Sequence, residues 1–199
     1  MVPKLAPWLV AGLVTVRLGA APPEVPPQSP DQLKQMALDT EERMLRLLDP
    51  DLLRRADEKG LYKREDYPVL RAMNPFFLRG DFNGDGAMDV AVWVRQRSSG
   101  LSGVAIVHST LDSVRYLGAG SGTTDLSGTG KRGEVAADAW HVLPAGTTVR
   151  AFAAVPEIGA VEGRPFTLRH EALQFVWLGK SSFTFYWMNG RYWEIWTGD

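Results

Sequence analysis

The order of apolar and polar positions along the chain changes near Pro75. Before that residue, apolar side chains recur with the spacing of an α-helix, which predicts elements with one buried face. The first of these stretches opens with a helix-start signal, in which Ser29 can cap, Pro30 suits the first helical position and Gln32 completes a capping box. The pattern predicts a helix from this point to about Asp49.

A second, shorter helix is predicted directly afterwards. Asp49 is its expected cap, Leu53 and Ala56 lie on its apolar side, and Gly60 can end it. Residues 31–75 therefore form a helical segment in the predicted domain organisation.

Short apolar runs separated by Gly, Asn and Asp follow Pro75, a pattern typical of β-strands. The predicted strands are 76–78, 90–94, 104–107, 114–117, 149–153, 173–177, 183–188 and 192–196. This order of elements predicts an α+β fold: a mostly antiparallel β domain over residues 76–199, with the N-terminal helices packed on it.

Asn189-Gly190 is a strong signal for a two-residue β-hairpin turn. Counting outward from the turn pairs Trp187 with Tyr192, Tyr186 with Trp193, Phe185 with Glu194, Thr184 with Ile195, and Phe183 with Trp196. Both faces of this hairpin are apolar, which predicts a central hairpin with one face on the sheet core and the other under the N-terminal helices. The alternative is that one aromatic face stays open as a platform for a sugar ring or for a protein partner.

The N-terminal segment has the pattern of an export signal. Lys4 precedes an apolar run over residues 5–16, and the small residues 19–21 suit cleavage, so 1–21 is a predicted signal peptide. Residues 22–30 contain five prolines and form a predicted linker. We therefore expect a secreted or periplasmic protein with no stable membrane span after cleavage, the alternatives being an uncleaved anchor or a misassigned start codon.

Composition removes several classes of function. Lys and Arg total 22 against 23 Asp and Glu, so no strong field favours nucleic acid, and none is expected as a partner. The chain has no Cys, which excludes disulfides and thiolate metal sites.

The segment after the first predicted strand contains oxygen-bearing side chains at alternate positions. Calcium takes six to eight oxygen ligands, which requires several carboxylates on a sharply turning backbone. The predicted ligands are the side chains of Asp81, Asn83, Asp85 and Asp89 and the backbone carbonyl of Ala87. Gly84 and Gly86 supply the turns, because Gly enters positive φ without steric cost. The alternative interpretation is a turn that binds nothing.

An EF-hand would need Glu at the twelfth loop position, where this chain has Val92 inside an apolar run, so the loop leads into a strand. The sequence Gly80–Gly86 followed by Asp89–Val92 resembles the calcium loop of FG-GAP and VCBS-type repeats. The resemblance implies that the Asp and Asn ligands sit in a β-hairpin loop and that the metal is structural. It covers only residues 78–94, and one copy cannot form a propeller.

Signals for catalysis are weak along the rest of the chain. The three His residues are dispersed, His170-Glu171 lacks the second His of a zinc helix, and no Ser lies in a G-x-S-x-G motif. We therefore expect an exported calcium-binding protein whose ion is structural, acting in envelope structure or in binding a protein or glycan ligand. The alternative is a secreted hydrolase or enzyme inhibitor that uses the aromatic C-terminal surface and the predicted mobile loop at 118–133.

Overall fold

A computed structural model of the chain describes residues 29–122 and 131–198. The predicted signal peptide, residues 22–28 of the predicted linker and residues 123–130 of the predicted mobile loop lie outside the described part. The chain forms two compact units, Met1–Arg43 and Met44–Asp199. No helix in the described residues is long and apolar enough to cross a membrane.

The first helix, α1, spans Pro30–Leu47 and begins as the sequence predicts. The Ser29 Oγ atom accepts the Gln32 N–H at 3.2 Å, and the Gln32 Oε1 atom accepts the Ser29 N–H at 2.8 Å, which is the reciprocal capping box. None of its residues is buried, although the pattern predicted one buried face. Polar pairs along the helix, such as Gln35 with Asp39 at 2.8 Å, stabilise it without burial.

The second helix, α2, spans Asp51–Glu58, and Asp49 is not its cap. The Asp49 carboxylate is instead buried and forms ion pairs with Arg64 at 2.6 Å and with Arg71 at 2.5 Å. Two guanidinium partners from the next segment stabilise this buried carboxylate better than one helix N–H would, so the predicted cap is wrong.

The strands in the described residues are β1 (Phe77–Gly80), β2 (Asp89–Arg95), β3 (Ser102–Val107), β4 (Val114–Gly118), β5 (Ala139–Leu143), β6 (Thr148–Arg150), β7 (Pro165–Thr167), β8 (Ala172–Trp177), β9 (Ser181–Met188) and β10 (Arg191–Gly198). They form sheet 1, in the order β1-β2-β3-β4, sheet 2, in the order β10-β9-β8-β5, and sheet 3, the pair β6-β7. All pairings are antiparallel, so the predicted mostly antiparallel α+β class is confirmed. The sequence did not predict β5 and β7. The strand predicted at 149–153 corresponds to β6, which is shorter and ends at Arg150.

The main core combines buried residues of sheets 1 and 2. Trp93 and Ile106 of sheet 1 belong to one apolar cluster with Phe175 and Phe183 of sheet 2. Side chains alternate across a strand, so each sheet also presents a second face. The second face of sheet 1 packs under α2, where Leu53 is buried together with residues of β2 and β3.

The C-terminal hairpin has the predicted register, with every counted pair from Trp187–Tyr192 to Phe183–Trp196 observed. Its surroundings differ from the prediction in two respects. The strand β10 is an edge of sheet 2 rather than a central strand. The second hairpin face packs against Ile158 and Leu168, which belong to the segment between β5 and β8, and not against the N-terminal helices. That segment contains only short apolar runs, which gave no signal of a covering layer.

Candidate functional site

The predicted calcium loop joins β1 to β2, and these strands pair with Gly80 opposite Asp89. Four of the five predicted ligands therefore lie in one β-hairpin connection, and the fifth, Asp89, is the first residue of β2. Gly84 and Gly86 have φ values of 76° and 82°, as the turn prediction required. The side chain of Phe82 is fully buried and anchors the loop to the core.

The carboxylate of Asp81 organises the backbone of the loop. Its Oδ1 atom accepts the N–H groups of Gly84 at 2.8 Å and Asp85 at 3.0 Å, and its Oδ2 atom accepts that of Gly86 at 2.9 Å. An ionised carboxylate has about four acceptor positions, so one remains after these three bonds. The loop is thus curved around a carboxylate that retains capacity for a further ligand.

Asn83 and Asp85 form the outer part of the loop. The Asn83 Nδ2 atom donates to the Asp85 Oδ2 atom at 2.9 Å, and the Asp85 Oδ1 atom accepts the Ala87 N–H at 2.8 Å. Two hydrogen bonds hold the pKa of Asp85 below its usual value. The bond from Asn83 has the larger effect and the bond from Ala87 the smaller one. Asp85 is therefore an ionised carboxylate on the exposed side of the loop.

Asp89 has a different environment, because its side chain is fully buried. Its Oδ2 atom accepts the Phe82 N–H at 3.0 Å and its Oδ1 atom accepts the Ser109 N–H at 2.8 Å. Burial raises the pKa of Asp89 to about 6, and the nearby negative charge of Asp85 adds to the increase. Where the chain is described, no Lys or Arg forms an ion pair with Asp81, Asp85 or Asp89.

The predicted ligands share one loop, but their oxygens are not arranged as a ready-made coordination sphere. Across residues 29–122 and 131–198, no three side chains of the His, Asp and Glu types form a group that could hold a metal ion. The oxygens of Asp81 and Asp85 face the loop's own N–H groups instead. Binding of an ion would require some of these oxygens to turn inward.

Two residues that sequence reasoning missed complete the surroundings of the loop. Ser109 donates its N–H to Asp89 and its Oγ–H to the Asp85 Oδ2 atom at 3.2 Å. The Glu171 Oε2 atom accepts the Asp81 N–H at 2.5 Å. Both lie far from the loop in sequence, so no local pattern could have indicated them.

Two His residues join the surroundings of the loop to the C-terminal hairpin. The His108 Nε2 atom is 2.9 Å from the Tyr192 hydroxyl, and the His108 ring packs edge-on against Trp187. The His170 Nε2 atom is 2.8 Å from the Trp187 carbonyl. Burial lowers the pKa of His108, which favours its neutral form. His108, which contacts the hairpin, directly precedes Ser109, which contacts the loop. The short segment after β3 therefore touches both.

No protein-family model, curated protein sequence or solved structure matches this chain.

In the absence of metal ions, the carboxyl group of Asp89 is expected to titrate near pH 6. Because its folded-state pKa lies above the ordinary value of 3.8, the folded protein binds this proton more tightly than the unfolded chain. The contribution of Asp89 to stability therefore falls as pH rises from about 4 to about 6. Carboxyl-carbon NMR in a chelator buffer measures the midpoint, with the exposed Asp112 as the reference. A midpoint for Asp89 near 4 would show that its burial has no such effect.

Proposed function

We propose that the chain is an exported calcium-binding protein in which the ion stabilises the 81–89 hairpin loop, and that the domain acts in binding or in envelope structure. The observation that carries the proposal is the concentration of three aspartates in one short loop without a basic partner in the described residues. Export is supported by the signal-like pattern of residues 1–21.

The chemistry of the donor set favours calcium over a transition metal. The loop offers carboxylate, amide and backbone oxygens but no thiolate, and hard cations prefer oxygen ligands. No His side chain belongs to the predicted ligand set. The loop at 81–89 includes two Gly at positive φ, which allows the backbone to adjust to the flexible coordination geometry of calcium.

The electrostatics of the loop explain how a bound calcium ion would stabilise the fold. Asp89 is a carboxylate whose ionised form is penalised by burial, and the charge of Asp85 increases that penalty. A bound cation offsets both effects, because it favours the ionised form of each carboxylate. The Phe82 and Ser109 N–H groups donate to the Asp89 carboxylate, so stabilising its ionised form would also hold in place the segments that follow β1 and β3.

Calcium is expected to raise the free energy of unfolding of the purified protein. If the ion binds only the folded state, calcium at about a hundred times its dissociation constant adds about 2.7 kcal/mol. Isothermal titration calorimetry should show about one ion per chain, and thermal unfolding in chelator and in excess calcium should show a higher melting temperature with calcium.

The matched variants are Asp85→Asn and Asp112→Asn. Both side chains are exposed and both carboxylates have lowered pKa values, but only Asp85 is a predicted ligand. Asp85→Asn should weaken calcium binding while Asp112→Asn leaves it unchanged. Identical melting curves in chelator and in calcium, with no heat of binding, would refute the proposal.

A further inference from the structure

A cleft of about 770 Å³ opens between β4 and β10. These strands are the outer edges of sheets 1 and 2, while at the other edges β1 contacts β5. The cleft is lined by residues 114–118 on one side and by Phe185, Trp187 and residues 190–194 on the other. Its volume lies within the range of ligand-binding clefts.

The β4 side of the cleft presents backbone groups that can pair with another strand. Ala119 donates its N–H to the Ser102 carbonyl at 2.9 Å, and the register from there makes Leu117 and Arg115 the hydrogen-bonded residues towards β3. The alternate residues Val114 and Tyr116 therefore direct their N–H groups away from β3. In the described part of the chain, no backbone group pairs with these N–H groups. The Ser121 Oγ–H donates to the Tyr116 carbonyl at 2.8 Å, so among the described residues the part of the β4 edge left for strand addition is Val114 and the Tyr116 N–H.

The charged side chains that line the cleft are two arginines, Arg115 and Arg191, and Glu194, which already has an interaction within the chain. The Arg115 guanidinium lies over Trp187 at 5.6 Å from the ring centre, and the Arg191 guanidinium lies over Trp193 at 3.4 Å. Both arginines are exposed, and among the described residues neither has a carboxylate or carbonyl partner. A guanidinium stacked on an aromatic ring keeps its edge N–H groups available for a bidentate carboxylate.

The same stacking argues against a sugar as the occupant. A sugar ring needs an open aromatic face, and one face of each of these indole rings is already covered by a guanidinium. A small anion would satisfy one arginine but would leave the Val114 and Tyr116 N–H groups without partners. An extended peptide provides both carbonyl acceptors along its backbone and carboxylates on its side chains.

We propose that the cleft binds an extended acidic peptide segment of a partner protein, which adds as a strand to the edge of β4 and places carboxylates on Arg115 and Arg191. This inference rests on the binding role proposed above but not on the calcium ion. The arginines then act as recognition residues, and the backbone of β4 supplies sequence-independent affinity.

The test uses the full-length protein after any export processing and a fluorescein-labelled peptide of alternating Glu and Val, followed by fluorescence anisotropy. The acidic peptide should bind, a peptide of alternating Lys and Val should bind at least about tenfold more weakly, and N-methylation of alternate amides should abolish binding. Equal binding of the acidic and basic peptides would overturn the proposed charge recognition. Unchanged binding of the N-methylated peptide would overturn strand addition. Full competition by free glutamate would point to a small-anion site instead.

The variants Arg115→Gln and Arg191→Gln should each weaken peptide binding by about tenfold. Arg150→Gln is the matched control, because Arg150 is an exposed arginine on β6 and does not line the cleft. All three variants should keep the melting temperature of the parent, since the replaced side chains are exposed. Unchanged affinity in both cleft variants would show that the arginines only protect the sheet edges from pairing, and it would overturn the proposal.

Calcium binding, measured separately without peptide, reports on the loop alone, so failure of one proposal does not imply failure of the other.

Discussion

Replacing Phe183 by Ala is expected to lower the free energy of unfolding by about 3–5 kcal/mol, the range for large aromatic side chains removed from a core. Phe183 is fully buried between the sheets, where its ring stacks on Phe175 at a centroid distance of 5.1 Å and also contacts Phe185. The smaller side chain loses these contacts and leaves a cavity that rigid neighbours cannot close. Urea denaturation at one fixed calcium concentration measures the change.

Phe152→Ala is the matched control, because the Phe152 side chain is 45% exposed. It should cost less than about 1 kcal/mol. Trp187→Ala should fall between the two variants, since Trp187 is half-buried at the rim of the cleft. A cost for Phe183→Ala no larger than that of Phe152→Ala would contradict the proposed core between the sheets.

Replacing Asp49 by Ala is also expected to cost about 3–5 kcal/mol, the range for breaking a buried ion pair. The Asp49 side chain is fully buried and pairs with both Arg64 and Arg71, whose side chains are 11% and 24% exposed. Removal of the carboxylate leaves these two cations close together with no shared counter-charge. Arg64 also pairs with Asp57 at 2.8 Å, which limits but does not remove the loss.

The control for this variant is Asp51→Ala. Asp51 pairs with Arg54 one turn along α2, but the two side chains are 66% and 44% exposed. An exposed pair of this kind contributes less than about 1 kcal/mol. Thermal and urea unfolding of the two variants in parallel tests the difference, and equal costs would mean that Asp49 is not the centre of a buried ion-pair network.

The features that the sequence predicted correctly are those that depend on neighbouring residues. The hairpin register follows from the two-residue turn at Asn189-Gly190, because each pair is determined by counting from that turn. The capping box at Ser29 and Gln32 is equally local. The loop at 81–89 was located by spacing alone, although its ligation of calcium remains a prediction.

The features that the sequence did not predict depend on residues far apart in the chain. Asp49 is of the correct residue type for a helix cap, but Pro50 occupies the cap position and Asp49 forms ion pairs with Arg64 and Arg71. The layer over the second face of the hairpin comes from residues such as Ile158 and Leu168, whose short apolar runs show no regular period. The cleft exists because two edge strands from different sheets lie on the same side of the core, which no local pattern encodes.

The contact between Asp81 and Glu171 spans 90 residues and has a consequence for the order of folding. A hydrogen bond across such a distance can form only after the entropy of closing a long loop has been offset by other contacts. Gly80 allows this approach, because a Cβ atom there would lie 2.7 Å from the Glu171 Oε2 atom and 2.6 Å from the ring of Phe82. We therefore expect the contact between Asp81 and Glu171 to form late, once sheet 2 has docked, whereas the bonds of Asp81 to Gly84, Asp85 and Gly86 are local. An excised peptide of residues 77–95 would lack Glu171 and Ser109 and would be a poor substitute for the intact site.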